Sequence, residues 1–102
     1  MKTLHLPLKA KWYEMIESGV KTEEYREIKP YWIERLTYVS AIDFEGEHLY
    51  SVVKHFDFAK FAYGYTKRTM TFEIESITIG KGNPEWGAPK EDVFIIKLGN
   101  RL

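Results

Sequence analysis

Gly19-Val20-Lys21-Thr22-Glu23-Glu24-Tyr25-Arg26 joins a stretch with helical spacing to one with strand spacing, and its reading decides the fold. Upstream, Lys9 to Ser18 places Trp12, Met15 and Ile16 on one helical face and points Glu14 and Glu17 away from it. Gly19 supplies the stop, because glycine tolerates the left-handed conformation that ends many helices. No good N-cap residue opens this helix. Downstream, Thr22 to Ile28 fits a strand. A period of two sets Thr22, Glu24 and Arg26 on one face and Glu23, Tyr25 and Glu27 on the other. Before the helix, Thr3 to Leu8 reads as a first strand with Leu4, Leu6 and Leu8 on one side and Pro7 marking an edge or an end.

Beyond this junction, Pro30 opens a short helix over Tyr31 to Leu36, with Trp32, Ile33 and Leu36 as its apolar side. Thr37 to Val53 keeps no single period, and Glu45-Gly46-Glu47 within it has the composition of a turn. Lys54 to Tyr63 alternates, with Phe56 and Phe58 on one face, and Gly64 begins a turn that runs to Arg68. Thr69 to Ile79 alternates cleanly, Met70, Phe72 and Ile74 inward and Thr69, Thr71, Glu73 and Glu75 outward. Gly80 to Pro89 is a Gly/Pro-rich loop carrying Trp86. Val93 to Leu98 is an apolar run of the kind buried on both faces of a sheet. The order β-α-β-α followed by several strands implies an α+β fold, a mixed sheet or small barrel with helices at one side.

Composition narrows the function classes. A chain of 102 residues fits one domain. Fifteen Lys and Arg balance fifteen Asp and Glu, so no broad basic surface for duplex DNA is expected. With no cysteine there is no disulfide framework, no thiolate zinc site and no cysteine nucleophile. No apolar run reaches bilayer length, and the first residues lack a signal-peptide core. The expectation is therefore a soluble, cytoplasmic protein without membrane association. His5, His48 and His55 are scattered without metal-ligand spacing, and there is no phosphate loop or dinucleotide fingerprint. No metal and no organic cofactor are expected.

Lys21, Glu24 and Arg26 put two cations and a carboxylate into the helix-to-strand junction. A guanidinium beside an ammonium suits a phosphate or a polarised carbonyl, and a nearby carboxylate can orient them or act as general acid or base. On spacing alone the same charges describe a surface salt-bridge ladder of little energetic consequence.

At these residues the chain resembles an ASCH domain, part of the PUA-like superfamily of small β-barrels. The signature Gly-x-Lys-x-x-Glu-x-Arg follows the first helix of that family, and here it stands complete as Gly19, Lys21, Glu24 and Arg26. Trp12 to Ile16 is similar to the family's first helix, and Phe72 to Ile77 and Val93 to Leu98 to its closing strands. The likeness spans a single domain over 1–102 and is weakest over 37–53, a family-variable insertion on this view.

The resemblance implies a PUA-like mixed barrel of about five to six strands with two or more flanking helices. It also implies a cleft for RNA or a modified nucleoside, lined by Lys21, Thr22, Glu24 and Arg26. Tyr63, Tyr65, Lys67 and Arg68 surround the turn at Gly64; aromatics interleaved with cations suit stacking a base and holding its phosphate, and equally describe a hairpin loop with solvated charges. Some family members are amidohydrolases that deacetylate N(4)-acetylcytidine, and at least one is a ribonuclease. On that alternative Lys21 and Glu24 are the catalytic candidates. The hydrolytic relatives' proposed threonine nucleophile falls at position 24, where this chain has Glu24. A carboxylate beside Lys21 favours an ion pair over lysine-activated attack, which turns the expectation toward binding. Trp86 is read as a base-stacking group or a barrel plug, and Trp12 and Trp32 as core.

Overall fold

The computed structural model describes residues 1–42 and 48–102. Strand β1 (Thr3–Leu8) buries Leu4, Leu6 and Leu8 and leaves His5 and Pro7 exposed, as its alternation requires. Helix α1 (Ala10–Glu17) follows at once and buries Tyr13 and Ile16. It starts from an extended Lys9 that provides no side-chain cap, since no Ser, Thr, Asp or Asn stands there. Gly19 ends it at a φ of 85°, where its amide bonds to the Ile16 carbonyl. The space around Gly19 is open, so Gly19→Ala should cost only the left-handed backbone penalty, about 1–2 kcal/mol. A urea-denaturation midpoint measures this, with the slope unchanged.

The chain continues through β2 (Glu23–Glu27), α2 (Pro30–Leu36), β3 (Thr37–Ile42), β4 (His48–Val53), β5 (Phe58–Tyr63), β6 (Thr69–Gly80), a 3-10 turn at Pro84–Trp86, and β7 (Val93–Arg101). Pro30 stands in the first turn of α2, where its missing amide costs nothing. Five strands form one sheet in the order β1-β5-β6-β7-β2. β1 and β5 run parallel and the other neighbours antiparallel, so the sheet is mixed. Register shifts between Phe72, Ile74 and Ser76 on β6 bend the ribbon, and the sheet curls into a half-barrel. The fold is therefore α+β and barrel-like. Among the described residues no ladder joins β1 to β2, so the curl stays open at that seam.

The concave side holds the main core, built on Leu4, Leu6, Tyr13, Phe61, Phe94 and Ile96. Tyr25, Ala88 and Val93 form a second, smaller cluster, with Trp86 and Ile95 packed against it. Alternate residues of β7 thus go to different clusters, Phe94, Ile96 and Leu98 to one and Val93 to the other. The run read as buried on both faces is so only at its start: Val93 is buried and Ile95 half-buried on the second face, and Lys97 on that face is exposed. No helix is long and apolar enough to cross a membrane.

Two stretches differ from the sequence reading. Lys54 to Asp57 is not strand; β5 begins at Phe58. The Lys54 amide bonds to the Leu36 carbonyl and the Asp57 amide to the Lys2 carbonyl, so this stretch ties other elements together. The segment without a readable period is a two-stranded antiparallel pair, β3 with β4. Register shifts at Tyr38/Val39 and Val39/Ala41 explain why no period survives. The expected turn at Glu45-Gly46-Glu47 lies outside the described residues.

Candidate functional site

The ladder between β2 and β7 sets Glu24 opposite Ile96 and Arg26 opposite Phe94. Both charged residues therefore share the face that carries the main core, at the border of the sheet where the curl is open. Glu24 is 4% exposed and Lys21 2% exposed, values that rule out a solvated surface ladder.

A buried carboxylate needs partners, and Glu24 has one cation on each oxygen. Lys21 Nζ lies 2.9 Å from Glu24 Oε1. Arg26 Nη1 donates to Glu24 Oε2 and, at 2.8 Å, to the Tyr25 carbonyl. Arg26 Nη2 reaches the Pro7 carbonyl at 3.3 Å, so the guanidinium spans the seam between β2 and β1. Lys21 Nζ also donates to the Trp86 carbonyl and sits 4.7 Å from the Trp12 ring centre and 5.1 Å from that of Tyr25. The three side chains together carry one net positive charge. Among the described residues no buried side-chain nitrogen or oxygen lacks a hydrogen-bond partner.

Above this triad lies a cleft of about 580 Å³, within the roughly 300–1,000 Å³ usual for small-molecule sites. Trp12 from α1, Trp32 from α2, Pro7 and Lys9 from the β1 end, and Gly87 from the loop before β7 help to wall it. Glu24 and Arg26 are also exposed to it. The Arg26 guanidinium lies 5.2 Å from the Trp32 ring centre, and that of Arg35 5.7 Å from it. The cleft thus offers a fixed guanidinium beside the Trp32 indole, with Trp12 as a further aromatic wall. Among the described residues no group of three His, Asp or Glu side chains is placed to hold a metal ion.

The expected site residues are distributed unevenly. Lys21, Glu24 and Arg26 converge. Thr22 is exposed just before β2, and its carbonyl accepts the Leu98 amide at 3.0 Å, which extends the ladder. Tyr63 and Arg68 meet elsewhere, against α1. Arg68 Nη2 bonds both oxygens of Glu17 at 2.9 and 3.2 Å. Its guanidinium lies 5.1 Å from the Tyr13 ring centre and 4.8 Å from that of Tyr63. The bond to Glu17 raises the Arg68 pKa further above its ordinary value. This cluster fastens α1 to the β5–β6 turn and lines no part of the cleft. Lys67 is exposed in that turn.

Trp12 and Trp32, assigned to the core from sequence, stand instead as cleft walls, although Trp32 also packs against the core's margin. The available signal was the cation beside each indole. Lys11 precedes Trp12 and lies 4.7 Å from its ring centre, and Arg35 follows Trp32 at one helical turn. Trp86 contributes its carbonyl to Lys21, while its side chain packs against the second cluster.

Tyr25 anchors the loop that carries Trp86. Its hydroxyl donates to Glu23 Oε1 at 2.7 Å and accepts from the Asn83 amide at 3.0 Å. Burial, opposed by the Asn83 amide, pushes its pKa from 10.0 up to about 12. The neutral phenol is thus favoured in the folded state. Its stabilisation is complete below the unfolded pKa of 10.0 and is lost as pH rises toward about 12. Tyr25→Phe should cost about 1–2 kcal/mol at neutral pH, because the Asn83 amide loses its acceptor. The gap to the native protein should narrow above the ordinary phenol pKa. Denaturation midpoints across alkaline pH measure both effects.

No family model, curated protein or solved structure matches this chain.

Proposed function

We propose that this chain is an RNA- or nucleoside-binding module of the ASCH, PUA-like type, with its cleft built on Gly19, Lys21, Glu24 and Arg26. One observation carries the reading. Arg26 is held by a buried carboxylate and a strand carbonyl while its guanidinium stays at the cleft beside Trp32. A guanidinium fixed in this way recognises a phosphate or base carbonyl with little loss of freedom. Trp12 and Trp32 line the same cleft and supply aromatic surface against which an unpaired base can pack. In this reading the protein serves in the cytoplasm and takes single-stranded or monomeric ligands.

The hydrolytic alternative, an amidohydrolase or ribonuclease working through Lys21 and Glu24, is less well supported. Both Glu24 oxygens already accept from cations, and Lys21 is buried behind them. A water to be activated would also have to reach a carboxylate that is only 4% exposed.

Calorimetric titration with nucleosides and their 5′-monophosphates tests the reading. Native protein should bind at least one of them, and Arg26→Ala should weaken that binding by roughly tenfold to a hundredfold. Arg26→Lys should not restore it, because an ammonium cannot reproduce the planar fork. Incubation with N(4)-acetylcytidine and with single-stranded RNA should give no turnover. A native protein that binds none of the panel overturns the proposal.

A further inference from the structure

Pro7 belongs to two concavities. Besides the cleft, it lines a groove of about 380 Å³ on the outer face of β1 and β5, together with His5, Lys60, Tyr65, Thr66 and Thr69. The strand register explains the grouping. β1 pairs His5 with Lys60 and Pro7 with Ala62, and β5 pairs Ala62 with Thr69. These are the residues that the core-facing Leu4, Leu6 and Phe61 leave turned outward.

The groove contains a cationic Lys60, a histidine and hydroxyls, and no carboxylate among its described lining residues. Tyr65 stands at its mouth, 98% exposed. It is the aromatic of the β5–β6 turn that remains free, since Tyr63 is held against Tyr13 and Arg68. The other flank of the cleft differs. There Glu27, Val93 and Pro89 continue into a depression that also carries Lys29, Glu91 and Asp92. On that side three carboxylates stand against Lys29 and the Lys81 that pairs with Asp92, which leaves it net acidic, and the other side has a lysine, a histidine and no carboxylate.

We infer that the His5–Lys60–Tyr65 groove is a second nucleotide subsite, taking the nucleotide next to the one held in the cleft of a single-stranded RNA. The inference rests on the reading of the cleft as a nucleotide site and deepens it. The strand crosses the end of β1 at Pro7, its base stacks on Tyr65 and its phosphate faces Lys60. An exposed tyrosine ring suits this task because every base has a stacking face, so the subsite adds affinity without choosing a sequence.

The test uses the whole chain, nucleoside monophosphates and short labelled RNA homopolymers of each base, with affinities from calorimetry and fluorescence anisotropy. The best homopolymer should bind at least about tenfold more tightly than its monophosphate. Tyr65→Ala should remove about that factor from the homopolymer and leave the monophosphate unchanged. Lys60→Ala should reduce the magnitude of the salt slope for the homopolymer by roughly 0.7. Both side chains lie outside the core, so matching thermal melts establish that the variants fold. Equal affinity for monophosphate and homopolymer overturns the second subsite and leaves the cleft reading intact. So does a Tyr65→Ala variant that keeps full homopolymer affinity. Absence of binding to both ligands overturns the two together.

Discussion

Glu24→Ala should lower the unfolding free energy by about 3–5 kcal/mol, the range for breaking a buried ion pair from one side. The loss comes less from the removed bonds than from what stays behind. Lys21, 2% exposed, keeps an ammonium with no carboxylate within reach, and Arg26 loses the acceptor that orients it. A domain of this kind holds roughly 5–15 kcal/mol in total, so the variant sits near the limit of folding. Urea denaturation at neutral pH measures the change. The double variant Lys21→Met/Glu24→Gln provides the control. Removing the charge from both partners should cost clearly less than the sum of the two single changes. A Glu24→Ala loss below about 1 kcal/mol would instead describe an exposed ladder and refute the buried triad.

Phe94→Ala should cost a similar amount, about 3–5 kcal/mol, by a different route. Phe94 is 0% exposed on β7, which lies between β6 and β2, and it stands opposite both Ile79 and Arg26 in the two ladders. Truncation removes the ring's burial and opens a cavity behind the residue that presents the guanidinium. Phe94→Leu keeps most of the volume and should lose distinctly less. Midpoints from urea denaturation give the stability difference. A Phe94→Ala variant that retained native stability would mean the core closes up behind β2.

Local signals made much of this legible in advance. Gly19 and Pro30 mark the end and the start of helices by backbone chemistry that any context preserves. The alternation in β1 and in Thr69 to Glu75 of β6 survives because one face of each stretch is buried, whereas the second half of β6 loses it. The convergence of Glu24 and Arg26 followed from their spacing of two, since both ride the same face of β2. What the sequence could not carry was topology. Trp12 and Trp32 have the helical spacing of core residues, and they face a cleft only because β1 and β2 end up as opposite borders of the sheet. Arg68 looked available in its turn until the fold brought Glu17 of α1 beside it. The register shifts in β3 erased the one pattern by which that strand could have been read.

The placement of β2 has a consequence for how the protein is made. Although β2 lies early in the chain, its one ladder partner among the described strands is β7, some seventy residues later. During synthesis Glu24 and Arg26 emerge long before the strand that buries them. Until residues 93–101 have left the ribosome, the triad has no floor and the guanidinium no fixed direction. The cleft is therefore among the last features of this fold to form, and no nascent chain lacking β7 presents it.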